Sequence, residues 1–367
     1  MSMNTIKRIL RENTREYGMI IALIFIVLLF QIITGGVLLK PLNVTNIVLQ
    51  NSYILILAIG MLPVILIGKF DLSVGSVAGF VGAVAAILVV KYNMPFLPVF
   101  LIGLIIGALV GAWQGLWIAY ANIPAFIVTL SSMLIFRGFT IAVLDGRSIG
   151  PFTDTFQALS SSFLPDIFSG GILHFTTVIL GLIGCIAVII ITVRNRSEKL
   201  KYGFEVNPLS LEIAKTALIC FGILLLTYFF AAYKGIPTVM VLVLVLIILY
   251  SFITNMTVVG RRLYALGGNE KAAALSGVKT KWLTFISFVN LGVLSALAGM
   301  IFAARLNAGT PKAGNGFELD AIAACFIGGA SSSGGIGTVT GAIIGALIMG
   351  VMNNGMSILG ISIDWQQ

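Results

Sequence analysis

Long apolar runs, following one another almost without a break, constrain this chain more than anything else in it. They cover residues 18–39, 51–68, 72–90, 96–120, 125–144, 175–193, 216–233, 238–256, 283–306, 321–331 and 338–359. Most approach the roughly 20 residues that a helix needs to cross about 30 Å of hydrocarbon. In lipid every backbone amide must be paired within the protein, so runs of this kind are read as helices. With 59% hydrophobic and 10% charged residues and a mean hydropathy of +1.09, a water-soluble fold is excluded. The reading is an all-α polytopic membrane protein, forming one transmembrane domain over residues 1–367. The first run has no small-residue cleavage site and is read as an uncleaved helix. Run 321–331 is short and followed by SSSGGIG, which suggests a broken helix, tolerated only against protein or a wet path.

Charge gives the runs a direction. With spans alternating from a cytoplasmic N-terminus, fifteen of the 22 Lys/Arg fall inside, six outside, and Arg137 within a span. That is the bias the positive-inside rule requires. It makes residues 1–17, 194–215 and 257–282 cytoplasmic, and residues 145–174 and 307–320 periplasmic. The net charge of +9 therefore signals membrane topology and not nucleic acid.

Two segments echo each other. GLIIGAL at 103–109 matches GAIIGAL at 341–347 in six of seven positions, and each follows an acidic, Gly/Ser-rich stretch. The runs have opposite parity, so the echo fits an inverted repeat like those of transporters. Runs one to five then pair with eight to twelve, and runs six and seven form an inserted hairpin. Eleven runs are present where twelve are expected, and the chain is expected to stop short of the last at residues 364–367.

Polar residues that could carry chemistry are few. The single histidine, His174, lies at an outer span boundary, and Cys185, Cys220 and Cys325 sit in apolar runs as small hydrophobes. No triad, metal-ligand spacing or GxxxxGK[ST] loop is present, so no metal and no nucleotide is expected on this chain. Arg137 is the sole charge well inside the assigned spans, and both a functional and a structural role stand. Asp71 lies in GKFDLSVGS, where its carboxylate could cap the following helix with help from Ser73; direct solute contact is the other reading. Asn51, Gln114, Asn290, Asn353 and Asn354 could line a path for a neutral hydroxylated solute or bond helix to helix. GGASSSGGIG at 328–337 reads as close packing. A set of intramembrane carboxylates, as proton- or ion-coupled pumps use, is missing from the assigned spans.

The polar segment at 260–281 is of another kind. Gly267 and Gly268 suggest a turn, Asn269 an N-cap, Glu270 a favourable charge at the helix start, and Gly277 a C-terminal stop. Ala272, Ala273, Ala274 and Leu275 have high helix propensity. A helix of about two turns is marginal alone. It calls for a partner protein, through which any power for transport would enter.

Here the motifs resemble a known family. TVVGRRLYALGGNEKAAALSGV, LSALAGMIFAARLNAGTPKAGNGFELDAIAACFIGGASSSGGIGTVTGAIIGALIMGVMNNGMSILGI and the earlier DLSVGS are similar to the permease subunits of bacterial ABC importers for monosaccharides. The inserted hairpin and NGMSILGISIDWQQ most resemble the xylose-type, multiple-monosaccharide branch. The resemblance implies a homodimer around a central path in the bacterial inner membrane. It implies an ATPase subunit inside, holding ATP and Mg, and a periplasmic sugar-binding protein outside. The coupling helix of such permeases corresponds to Asn269–Gly277 here. Family members continue through one more helix, where this sequence departs from them. Other readings are an ion- or proton-coupled secondary transporter, an integral membrane enzyme, or an ABC permease for branched-chain amino acids, nucleosides or autoinducer.

Overall fold

The computed structural model describes residues 14–167, 173–204, 206 and 208–366. Most of the 1–17 segment and part of the 145–174 loop thus lie outside the described residues. The chain divides into two compact units. One comprises the described residues of Met1–Leu38, Ile47–Ser161 and Val239–Gln367; the other comprises those of Leu39–Asn46 and Ser162–Thr238.

In chain order the helices are α1 (Thr14–Ile33), α2 (Pro41–Leu66), α3 (Val74–Ala86), α4 (Phe96–Ala119), α5 (Ala125–Val143), α6 (Asp154–Ser161), α7 (Phe175–Lys201) and α8 (Leu209–Ala231). They continue with α9 (Thr238–Met256), α10 (Val258–Gly268), α11 (Glu270–Leu275), α12 (Thr280–Leu306), α13 (Phe317–Ile327), α14 (Val339–Ile358) and α15 (Ile363–Gln366). A π-helical turn over Ile87–Lys91 extends α3. Among the described residues nine helices are long and apolar enough to cross a membrane, and the shorter Gly18–Ile33 adds to them. The all-α polytopic reading therefore holds.

Several boundaries differ from the apolar runs. α2 begins at Pro41, ten residues before the second run, because proline is well suited to a first helical position, where an N–H would have no partner. The 194–215 segment is mostly helix, since α7 runs on to Lys201 and α8 starts at Leu209. An ion pair between Arg196 and Glu212 joins the two helices there. The 307–320 segment ends inside α13, and α13 stops at Ile327, so the broken helix foreseen around 321–331 is present.

Glycine sets the packing of the larger unit. A Cβ at Gly107 would collide with the Gly292 carbonyl, and one at Gly111 with that of Phe288, so α4 and α12 meet backbone to backbone. The echo segment on α14 behaves likewise: Gly341 meets Gly328, and Gly345 meets the Ala324 carbonyl of α13. Small residues permit such approach where lipid offers no hydrophobic force to drive helices together. Ile54–Leu66 of α2 run through the core thus formed, buried beside Leu291, Ala321, Cys325 and Ala342. In the smaller unit α7 and α8 form an antiparallel pair. His174, at the N-cap position of α7, shares a 2.9 Å hydrogen bond between Nδ1 and Thr177 Oγ1.

Candidate functional site

The segment after α9 builds a site from three strands of backbone. Thr257 caps α10 by accepting from the Gly260 N–H at 3.2 Å. α10 then continues through Gly267 and Gly268, which are helical and do not make the turn expected of them. The reason is spatial. A Cβ at Gly267 would strike the carbonyl of Leu66 at the end of α2 and the amide of Gly335 in the break between α13 and α14. The turn falls at Asn269, whose backbone is extended. Its Oδ1 accepts from the Ala272 N–H at 3.0 Å, the expected N-cap bond.

α11 covers Glu270–Leu275, shorter than the Asn269–Gly277 stretch read from the sequence, because its caps occupy both ends. Gly277, with φ of +81°, allows the Gly277 N–H to bond the Ala274 carbonyl and the Val278 N–H to bond the Ala273 carbonyl, both at 3.0 Å. Those two bonds are a Schellman stop, which left-handed glycine makes inexpensive. The caps orient the helix: Ala273 is buried, Glu270 and Lys271 are exposed, and Leu275 is 91% exposed. Leu275 is thus an apolar side chain presented fully on a basic, polar segment.

Beneath α11 the segment is fastened to the membrane helices. Leu263 and Leu266 of α10 pack with Ile67 and Leu283, and Val278 closes over them. The Gly335 N–H donates to the Leu66 carbonyl at 2.8 Å, and Tyr264 Oη donates to the Gly337 carbonyl at 2.8 Å. Burial raises the Tyr264 phenol above its ordinary value, so it stays a donor across the physiological range. The residues read as GGASSSGGIG are therefore a docking loop, with Gly334, Gly335 and Gly337 at positive φ. A cavity of about 220 Å³ beside α11 is lined by Lys69, Glu270, Lys281 and Asn122, among others.

The other candidate residues are scattered, and most are bonded within the chain. Asp71 does not cap the first turn of α3. Its Oδ1 accepts from both the N–H (2.7 Å) and the Oγ–H (2.6 Å) of Ser73, which occupies the N-cap position but makes no capping bond itself. Gln114 Nε2 donates to Ser73 Oγ at 2.6 Å. Asn51 Nδ2 donates to the Ile47 carbonyl at 2.7 Å, and Asn290 accepts from Tyr250. Asn354 is buried on α14 and Asn353 half-buried. Arg137 is not a lone charge: Glu318 lies 3.7 Å from it. Asp71 and Glu318 are both buried among helices, just outside the assigned spans 51–68, 72–90 and 321–331. Sequence reasoning missed Glu318, because it sits in a stretch that reads as loop, and missed Tyr264 and Leu66, which carry no polar signature of a site.

Helices of membrane-crossing length, packed through glycine, define a multi-pass helical membrane protein. The chain belongs to the family described as branched-chain amino acid transport system / permease component, whose model matches residues 43–367. It is 42% identical over 355 residues to the xylose transport system permease protein of Haemophilus influenzae, covering 96% of this chain and 92% of that relative. The same-named protein of Escherichia coli K12 is 39% identical over 354 residues, covering 96% and 88%. The ribose import permease protein of Bacillus subtilis is 34% identical over 352 residues, again covering 96% and 88%. No solved structure matches. The family is a transport family, as the motifs implied.

Proposed function

We propose that this chain is the membrane-spanning subunit of a monosaccharide importer of the ATP-binding-cassette type, with xylose as the leading substrate. The names of the relatives support the substrate class. The single observation that carries the mechanism is α11: capped at both ends, apolar at its exposed tip, and bonded through α10 to the end of α2 and to the α13–α14 break. An ATPase subunit holds ATP and Mg and grips α11 from the cytoplasm. Its closure moves α10 against Leu66 and Gly335–Gly337, and this shifts the balance between two arrangements of the membrane helices. Such a shift needs only a differential interaction with the two arrangements. A periplasmic sugar-binding protein delivers solute from the other side, and two copies of this chain enclose the path. The N-terminus lies in the cytoplasm and the protein resides in the inner membrane, as the Lys/Arg bias requires. No catalysis is assigned to the chain itself.

Uptake of labelled pentoses by liposomes containing the chain with its ATPase and binding protein tests this reading. ATP-driven uptake is expected, with Glu270→Lys and Leu275→Asp abolishing it while the chain still inserts. Uptake driven by an ion gradient without the ATPase would establish the secondary-transporter reading instead.

A further inference from the structure

Among the described residues of the larger unit four buried polar atoms have no hydrogen-bond partner: Ser160 Oγ on α6 and, of concern here, Arg137 Nη2 on α5, Glu318 Oε2 on α13 and Ser76 Oγ on α3. The coupling segment uses none of them. Arg137 Nη2 lies 3.7 Å from Glu318 Oε1, too long for a hydrogen bond, so the ion pair leaves Arg137 Nη2 and Glu318 Oε2 unbonded. α3 and α13 approach so closely here that a Cβ at Gly75, one residue before Ser76, would collide with Glu318 Oε2. On α5, Phe136 and Phe139 flank Arg137 and pack on Phe80 of α3, with ring centroids 5.4 and 6.0 Å apart. Gly75, the residue before Ser76 on α3, thus lies against the carboxylate that faces the guanidinium of α5. The Glu318 side chain is 9% exposed and that of Arg137 37%.

Under-bonded buried polar groups cost stability, and apolar residues of like size would serve packing better. Their chemistry specifies what would satisfy them. A hydroxyl both donates and accepts. One hydroxyl of a solute can donate to Glu318 Oε2 while another accepts from Arg137 Nη2, and Ser76 can take either role. A net anion would be repelled by Glu318 and a net cation by Arg137, which leaves zwitterions and neutral, polyhydroxylated molecules, and the importer reading selects the second. We propose that Arg137, Glu318 and Ser76 form a solute-contact site that takes the hydroxyls of a sugar in passage. This rests on the importer reading and adds residues to it. The site is also tied to the coupling segment. Glu318 stands at the start of α13, and the end of α13 at Gly328 is locked to Gly341 and leads into the loop held by Leu66 and Tyr264. Movement of α10 therefore bears on the carboxylate.

The test uses the complete importer in liposomes, with xylose and a deoxyxylose lacking one hydroxyl. Wild-type uptake of xylose on ATP is expected, and its absence would overturn the importer reading and the site with it. With wild-type uptake in hand, Glu318→Gln is expected to lower maximal uptake at least tenfold and Ser76→Ala several-fold. ATP hydrolysis stimulated by the binding protein should persist in both. Normal xylose uptake by Glu318→Gln would overturn the site alone. The charge-reversed double variant Arg137→Glu with Glu318→Arg separates binding from structure. Recovery of thermal stability without recovery of uptake supports solute contact, whereas recovery of both makes the pair structural and overturns the proposal. In a Ser76→Cys variant with the native cysteines replaced by alanine, xylose at high millimolar concentration should slow thiol labelling at least twofold. Labelling indifferent to xylose would also overturn it.

Discussion

The core of the larger unit and the α7–α8 hairpin are both apolar and helical, yet they are built on opposite rules. In the core, backbones touch: Gly107 meets Gly292, Gly299 meets the Ala78 carbonyl, and Gly267 meets the Leu66 carbonyl. On the hairpin, Ile183, Ile186, Ile190, Leu218, Phe221 and Leu225 are exposed along both helices. One close glycine contact, Gly181 on Thr227, belongs to the hairpin. A surface of large aliphatic side chains suits hydrocarbon and tolerates exchange. An interface of glycines fixes distances and passes a displacement on without absorbing it. The segment that bears α11 is fastened to the second kind of structure, and in the proposed mechanism that is how a six-residue helix acts on a membrane bundle.

Substitutions should separate the two regions by the size of their effects. Gly107→Leu should be the most damaging change, since the side chain has only the α12 backbone to displace. Overpacking of this kind costs about 1–3 kcal/mol, occasionally more, and failure to recover folded protein in detergent is the expected readout. Leu275→Asp should leave the fold intact and cost more than about tenfold in uptake, equal to about 1.4 kcal/mol in the coupled step. Copurification with the ATPase checks it, and undiminished binding would show that the exposed tip is not a contact. Asn269→Ala should cost about 1 kcal/mol of local stability, seen as faster hydrogen exchange at the Ala272 amide. Tyr264→Phe removes one hydrogen bond to Gly337 and should cost about 1 kcal/mol, read as a lower midpoint of thermal unfolding. Because burial raises the phenol, this loss should be the same from pH 6 to pH 8. At the bottom of the scale, exchange of exposed hairpin residues, such as Ile186→Leu or Leu218→Ile, should change stability by less than about 0.5 kcal/mol. A loss as large as that of Gly107→Leu would erase the distinction between the two regions.

Much of this was legible in residue order. Apolar length located nearly every spanning helix, and Asn269 and Gly277 announced the caps of α11, because capping is local chemistry that sequence records directly. Gly267 was misread for an instructive reason. Glycine marks a turn when φ is positive and a close approach when another backbone lies against it, and only the second holds here. Nothing local distinguishes them, since Leu66 and Gly335 are far away in sequence. Glu318 was hidden for a similar reason. It follows a run of turn residues and reads as solvent-exposed, while its burial depends on Gly75 more than 200 residues earlier. Asp71 was placed at the right junction with the wrong partner, because the competing donor, Ser73, sits only two residues away.

In the proposed mechanism α10 passes motion to α2 and to the α13–α14 break through the Gly267 contact. The direct measurement is the number of sugar molecules imported per ATP hydrolysed by the reconstituted importer, comparing wild type with Gly267→Ala. The added methyl separates α10 from the Leu66 carbonyl while leaving α11 and its exposed tip free to engage the ATPase. The prediction is that ATP hydrolysis persists and the ratio falls at least tenfold. An unchanged ratio, with the variant folded and bound to the ATPase, would contradict it.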